Sequence, residues 1–141
     1  MARHARKTAN GTRPPPKHVE TVLAALRSIG RPASAYDIQA VLAEQEHLAP
    51  QTIYRALQRL IEAGSVHKVE SLNAFVVCSQ GCHRGASVFA ICECCGVVSE
   101  MRDSGIETVV ETWSHRMSFA AKGAALELHG VCANCAQEAL R

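Results

Sequence analysis

Aromatic residues are scarce in this chain and make up only 4% of its 141 residues. Any hydrophobic core must therefore be built from Val, Ile, Leu and Ala, and the hydrophobic content of 48% is sufficient for that. The sequence also lacks an apolar run of membrane-spanning length and the apolar segment of a signal peptide. We therefore expect a cytoplasmic protein with no membrane partner.

Cysteine is absent before Cys78, although the chain contains seven cysteines. An odd, clustered set without a secretory signal argues against a disulfide scaffold and indicates metal or redox chemistry. The composition changes at the same place, from helical patterns with charged faces to apolar strands that carry thiols. We expect a hinge at residues 79–86, where Gly and Ser interrupt the periodicity.

Acidic residues are scarce at the N-terminus, where residues 1–31 contain seven Lys or Arg and one acidic residue, Glu20. This concentration of positive charge predicts a polyanionic partner, and a solvated tail is the alternative interpretation. We expect residues 1–16 to form a flexible basic arm.

Residues 17–78 show the order of a winged helix, with three helices followed by a hairpin. Amphipathic spacing, a Ser-x-x-Asp capping box and a proline at a helix start predict the helices, and β-branched runs around a turn predict the strands. The predicted elements are helices at residues 17–29, from Ser34 onwards and at 50–63, and strands at 66–70 and 74–78.

The third predicted helix presents a polar outer face that can donate and accept hydrogen bonds and stack. Such a face suits the reading of base edges in a major groove. A solvated surface is the alternative, but the basic arm and the hairpin favour DNA binding. The predicted DNA-binding residues are Gln51, Thr52, Tyr54, Arg55, Gln58 and Arg59.

The thiols include two Cys-x-x-Cys pairs, Cys92 with Cys95 and Cys132 with Cys135. Each pair can place two thiolates on one ion, so together they predict a tetrahedral zinc site in an α+β domain. The segment between the pairs contains a helix with a predicted Ser104 cap, which can return the chain, and strands are predicted at 88–91, 97–101 and 124–128. The predicted buried stripe of this helix is Ile106, Val109, Val110, Trp113 and Met117. A redox dithiol is the alternative, and Cys94 could replace Cys95 as a ligand.

A second metal site is predicted from the hairpin. With Leu72 and Asn73 as a two-residue turn, His67 and Cys78 lie directly opposite, with Cβ atoms about 5 Å apart. Moving the turn back by one residue changes the partner of His67 but keeps Cys78 on the same face. His83 and Glu100 are the available further ligands, which gives a mixed set that suits zinc, and surface or core roles for each residue are the alternative.

Several motifs together resemble the ferric uptake regulator family, and its zinc uptake regulator branch most. The resemblance covers about residues 31–135, and the His-Lys-Val-Glu-Ser stretch is specific. The matching motifs are Ser34-Ala-Tyr-Asp37, Gln51-Thr-Ile-Tyr-Arg-Ala-Leu57, Gly64-Ser-Val-His-Lys-Val-Glu-Ser71, Phe75-Val-Val-Cys78, Cys92-x-x-Cys-Gly96 and His129-Gly-Val-Cys-x-x-Cys135.

The resemblance implies an α+β chain with a winged-helix DNA-binding domain at residues 17–78 and an α/β dimerisation domain at 87–141. It assigns a structural zinc to the two cysteine pairs, and matches Tyr54 and Arg55 with recognition-helix residues. It implies a regulatory zinc on a second set, which makes about two ions per chain. That set is His67, Cys78, His83 and Glu100.

The function that this resemblance implies is zinc-dependent repression of zinc uptake and homeostasis genes. A homodimer, alone or as paired dimers, would bind a pseudo-palindromic operator, with no catalysis and no small-molecule substrate. An iron- or peroxide-responsive member is an alternative, which the single histidine His83 in the linker disfavours. A thiol redox protein is the alternative from another class, and a metal-dependent hydrolase lacks a placed carboxylate base.

Overall fold

The computed structural model describes residues 16–81 and 85–139, and it confirms the predicted α+β class and order of elements. Most of the predicted basic arm, residues 1–15, lies outside the described residues. Within the described ranges, no helix is both long enough and apolar enough to cross a bilayer.

The elements follow one another as three helices, a hairpin, and a sheet with two further helices. The helices are α1 (Lys17–Ile29), α2 (Ala35–Leu42), α3 (Pro50–Glu62), α4 (Ser104–Arg116) and α5 (Ala133–Glu138). The strands are β1 (Val66–Val69), β2 (Ala74–Val77), β3 (Ala86–Cys92), β4 (Val98–Met101) and β5 (Ala124–Gly130). We call the hairpin of β1, β2 and their connection the wing.

The first three helices begin and end at the predicted signals. Gly30 has a φ of 67° and ends α1 in the left-handed region, which favours glycine. The Ser34 hydroxyl accepts from the Asp37 amide at 3.1 Å, while the Ser34 amide donates to the Asp37 carboxylate at 2.8 Å. This reciprocal capping box starts α2.

The helices and the wing share one aliphatic core. Its centre consists of side chains with almost no exposed surface, among them Val22, Ile38 and Ile53. A short antiparallel bridge between Ala33 and Phe75 ties the wing to the segment before α2, with N to O distances of 2.8 and 3.0 Å. Helix α3 therefore reaches the wing as part of one packed unit.

The expected turn at Leu72 and Asn73 is wrong. In the structure His67 pairs with Val76, and a 3₁₀ turn over Glu70–Leu72 followed by left-handed Asn73 makes the connection four residues long. Side chains alternate with a period of two, so this two-residue shift keeps Cys78 on the face of His67. The observed register is the one obtained by moving the turn back one residue.

The C-terminal sheet has the order β4-β3-β5, with β3 antiparallel to β4 and parallel to β5. The wing packs on one face of this sheet, where Val69, Phe89 and Ile91 form a buried cluster. Phe89 is the Cα partner of Glu100 on β4 and of Glu127 on β5. Two carboxylates therefore flank the centre of the contact between wing and sheet.

Helix α4 differs from its expected form in two ways. Its N-cap is Asp103, whose carboxylate accepts from the Ile106 amide at 3.1 Å, rather than Ser104. Its predicted buried stripe is largely exposed, with Val109 at 56%, Trp113 at 58% and Met117 at 60%. The amphipathic pattern predicts an apolar face, but the elements of one chain leave that face uncovered.

Candidate functional site

Four thiols meet at one end of the C-terminal sheet. Cys92 ends β3, Cys95 lies in the following turn, and Cys132 and Cys135 lie at the start of α5. Their sulfur atoms all lie within 4.8 Å of one another, and Cys95 Sγ is 3.8 Å from Cys132 Sγ. Four sulfurs bound tetrahedrally at about 2.3 Å from a zinc ion are about 3.8 Å apart. The cluster therefore fits a structural zinc ion.

The parallel pairing of β3 with β5 brings the two cysteine pairs together. Cys92 is paired with Gly130, so both strands end at the same edge of the sheet. Gly96, with a φ of 74°, turns the chain after Cys95, and its amide donates to the Cys92 carbonyl at 2.9 Å. The structure brings Cys95, not Cys94, into the four-thiol cluster.

Hydrogen bonds prepare this cluster electrostatically. The Cys132 amide lies 3.3 Å from Cys92 Sγ, and its N–H, with that of Cys95, lowers the pKa of Cys92 to about 6. Hydrogen bonding among the thiols, first with Cys132, raises the pKa of Cys135. These hydrogen bonds favour the thiolate form of Cys92 and the thiol form of Cys135, and a bound cation would displace the thiol protons.

A second cluster lies between the wing and the sheet and contains His67, Cys78 and Glu100. His67 Nε2 is 3.1 Å and Cys78 Sγ 3.6 Å from the same carboxylate oxygen, Glu100 Oε1. Zinc ligands at their usual bond lengths are about 3.3 to 3.8 Å apart in a tetrahedron. A nitrogen, a sulfur and an oxygen therefore converge at distances that fit a zinc ion.

The His67 ring nitrogen gives an independent indication of a cation. Nε2 is buried and makes no hydrogen bond among the described residues, although Glu100 Oε1 lies 3.1 Å away. A buried polar atom without a partner is costly. A metal ion bound by the three side chains would remove that cost.

Ser79 holds the Glu100 side chain in place. Its amide and hydroxyl both donate to Glu100 Oε2, at 2.8 and 3.0 Å. The other oxygen is thereby directed towards His67 and Cys78, as partners outside the metal shell commonly orient a ligand. The Glu100 side chain is only 6% exposed.

The predicted fourth ligand, His83, lies outside the described residues, as does Cys82. Of the four predicted regulatory ligands, the structure brings together three, His67, Cys78 and Glu100. His129 lies on β5 two residues after Glu127, and its Nε2 is 3.6 Å from Glu127 Oε2.

The polar face of α3 is turned away from the core. Tyr54 is 47% exposed and Arg55 is also exposed, whereas Ile53, between Thr52 and Tyr54, is fully buried. Gln58 donates to Glu62 at 3.2 Å, Thr52 is half-buried, and the remaining predicted DNA-binding residues, Gln51 and Arg59, are exposed. The helix thus presents polar and aromatic side chains to an external partner.

Two residues at the contact between wing and sheet were not predicted from the sequence. The sequence marks Ser79 only as an interruption of periodicity and places Glu127 only in a predicted strand. The sole sequence signal for Ser79 is its position next to Cys78. The role of Glu127 depends on the docking of the wing on the sheet, which the sequence does not show.

Comparison with known proteins gives matches over most of the chain. The profile of the Ferric uptake regulator family matches residues 12–136. Over 108 residues the chain is 44% identical to the zinc uptake regulation protein of Escherichia coli (strain K12), covering 74% of this chain. The alignment spans 62% of the length of that protein.

Two solved structures are similar in fold and sequence. A zinc uptake regulator complexed with zinc and DNA has a TM-score of 0.77 at 35% identity, covering 89% of this chain and 85% of the solved chain. The crystal structure of holo XcZur has a TM-score of 0.77 at 34% identity, covering 86% of each chain. The likeness therefore extends over both the helical part and the sheet.

Proposed function

The chain belongs to the ferric uptake regulator family, and we propose that it is a zinc-dependent transcriptional repressor of zinc uptake and homeostasis genes. The similarity to a zinc uptake regulation protein, and to a regulator solved with zinc and DNA, supports this proposal. The proposal includes domains at residues 17–78 and 87–141, joined by a hinge at 79–86, and no catalytic activity.

The observation that carries the proposal is the distribution of the second cluster over two parts of the fold. His67 and Cys78 belong to the wing and the segment after it, while Glu100 belongs to β4. Only when the wing is docked on the sheet can all three bind one ion. We propose that His83 completes this regulatory site, and that the four thiols hold a structural zinc.

Zinc in the regulatory site would be bound by residues of the wing and by Glu100 of the sheet, and would hold the two together. Helix α3 packs against the wing. Docking of the wing on the sheet therefore fixes the orientation of the outer face of α3. A shift from mostly undocked to mostly docked needs a differential affinity of about 3 to 5 kcal/mol. A site with imidazole and thiolate ligands can supply that amount.

The exposed apolar face of the C-terminal part supports a homodimer. Trp113 and Val109 on α4 are more than half exposed, and Leu128 on β5 is 48% exposed. Clusters of large exposed apolar residues usually mark protein interfaces. A second copy would cover this face and present two α3 helices to successive major grooves of a pseudo-palindrome, as a single or a paired dimer.

Selection of DNA by the full-length protein tests the function. The zinc-loaded protein should enrich duplexes with a shared pseudo-palindrome from a random library, and protein stripped of exchangeable zinc should enrich none. We call the enriched sequence the selected duplex. Equal enrichment with and without zinc, or no shared sequence, would contradict zinc-dependent repression.

Arg55→Ala should weaken binding to the selected duplex by about 1 to 3 kcal/mol, the range for loss of a bidentate base contact. Arg13→Ala, in the basic arm, is the control for charge, and it should weaken binding to all sequences alike through lost phosphate contacts. Titrations with the selected and a scrambled duplex measure both effects. Equal losses on the two duplexes in Arg55→Ala would exclude base reading by Arg55.

Zinc content should be about two ions per chain in the replete protein, with one retained against a moderate chelator. The four-thiol site is closed and all-cysteine, whereas the mixed site depends on docking of two units, so the mixed site should exchange first. Metal analysis before and after chelation measures this. A thiol redox protein would instead contain disulfides and little zinc, and loss of all zinc to the chelator would contradict a structural site.

A further inference from the structure

Glu127 forms a second polar contact between the wing and the sheet, on the opposite side of Phe89 from Glu100. Its Oε1 accepts from the Glu70 amide at 2.6 Å, and its two oxygens lie 3.3 and 3.4 Å from the Ser71 amide. The Glu127 side chain is only 17% exposed. One carboxylate of β5 thus binds two successive amides of the wing turn.

Hydrogen bonds at this contact favour the ionised carboxylate of Glu127. Hydrogen bonding from the Ser71 side chain, followed by the amides of Glu70 and Ser71 and the nearby His129, holds the pKa of Glu127 below its usual range against the opposing effect of burial. The Glu70 carboxylate points away, 72% exposed and paired with Lys68 at 2.9 Å. Only the backbone of residue 70 therefore meets Glu127.

Three kinds of contact thus hold the wing on the sheet along one row. The centre is apolar, with Phe89 only 1% exposed. On the β4 side lie the candidate zinc ligands and the hydrogen bonds from Ser79 to Glu100, and a metal ion would add further bonds there. On the β5 side lies Glu127, whose hydrogen bonds to backbone amides need no metal ion.

We propose that Glu127 is a positioning residue for DNA binding: its carboxylate fixes the wing turn on the sheet and so sets the direction of α3. The role rests on the proposed function. Two separated anchors restrict rotation of the wing about its apolar centre, which one anchor on the β4 side alone would permit. Zinc binding then completes an orientation that Glu127 has already restricted.

Amide exchange in the full-length, zinc-loaded protein tests the contact itself. Exchange at Glu70 and Ser71 should accelerate at least about tenfold in Glu127→Ala, because two charge-assisted hydrogen bonds are lost. Glu127→Gln, which keeps an oxygen acceptor without the charge, should show a smaller acceleration. Glu111→Gln, an exposed carboxylate on α4, is the matched control and should change neither amide. Unchanged exchange in Glu127→Ala would overturn the proposal.

DNA titrations test the positioning role. Glu127→Ala should bind the selected duplex at least about fivefold more weakly but a duplex with a single half-site as well as the wild type, because one wing unit can rotate to meet one half-site. A purely structural defect in α3 would weaken both equally and overturn the role, as would unchanged affinity for both. If the wild type selects no duplex, the proposed function and the positioning role fail together, while accelerated exchange would still establish the contact.

Discussion

Cys135→Ser is expected to abolish retention of tightly bound zinc, unfold the C-terminal part and eliminate the dimer. Cys135 is buried in the four-thiol cluster, and Cys92→Ser should behave alike. Binding of a structural zinc contributes about 10–16 kcal/mol in zinc-finger peptides. The whole stability of a domain is about 5–15 kcal/mol. Loss of one thiolate therefore removes an amount of energy that the aliphatic packing around β3 cannot replace.

Cys94→Ser is the matched control, because this exposed thiol is not one of the four clustered thiols and serine keeps a group that can hydrogen-bond to Cys135. It should keep the wild-type zinc content, circular dichroism and sedimentation. The same three measurements on Cys135→Ser decide the role of the cluster. A folded Cys135→Ser dimer with one chelator-resistant zinc ion would contradict the assignment.

Cys78→Ser should have a different effect, with folding, dimerisation and the chelator-resistant zinc retained but zinc-dependent DNA binding lost. Cys78 lies at the edge of the wing, outside the buried core and away from the four thiols. Loss of a group that merely orients a ligand commonly costs 10–100-fold in metal affinity. Loss of the ligand itself should cost more, so the exchangeable zinc should no longer bind at useful concentrations.

Cys94→Ser again serves as the control and should bind the selected duplex as the wild type does. Gel-shift titrations with added zinc, together with metal analysis, separate the two sites in the variants. Loss of the chelator-resistant ion in Cys78→Ser would mean that the two clusters are not independent, contrary to the proposal.

The helices could be predicted from the sequence because their signals are local. Ser34 and Asp37 cap α2 by contacts within one turn, Pro50 starts α3, and Gly30 ends α1. The wing register could not be fixed in the same way, because residues 70–73, which form the connection, contain no Gly or Pro to mark the turn positions. The face shared by His67 and Cys78 was still predicted, because a two-residue shift in register leaves each side chain on the same face of the hairpin.

The residues of the two candidate clusters could be singled out because their types and spacing are unusual, whereas their supporting contacts could not. Paired cysteines, and a histidine and a cysteine on the same face of a hairpin, are unusual patterns. Ser79 and Glu127 are ordinary polar residues whose roles arise only when the wing docks on the sheet. The exposed face of α4 was predicted as a buried stripe for a related reason, because periodicity cannot say which molecule covers it.

Zinc titration of the exchangeable site, with and without the selected duplex, tests the central claim most directly. Thermodynamic reciprocity requires that the duplex tighten zinc binding by the same factor by which zinc tightens duplex binding. We predict equal factors in the wild type and loss of both effects together in Cys78→Ser. If Cys78→Ser still binds the duplex only when zinc is added, the coupling site is not the cluster of His67, Cys78 and Glu100, and the proposed mechanism is wrong.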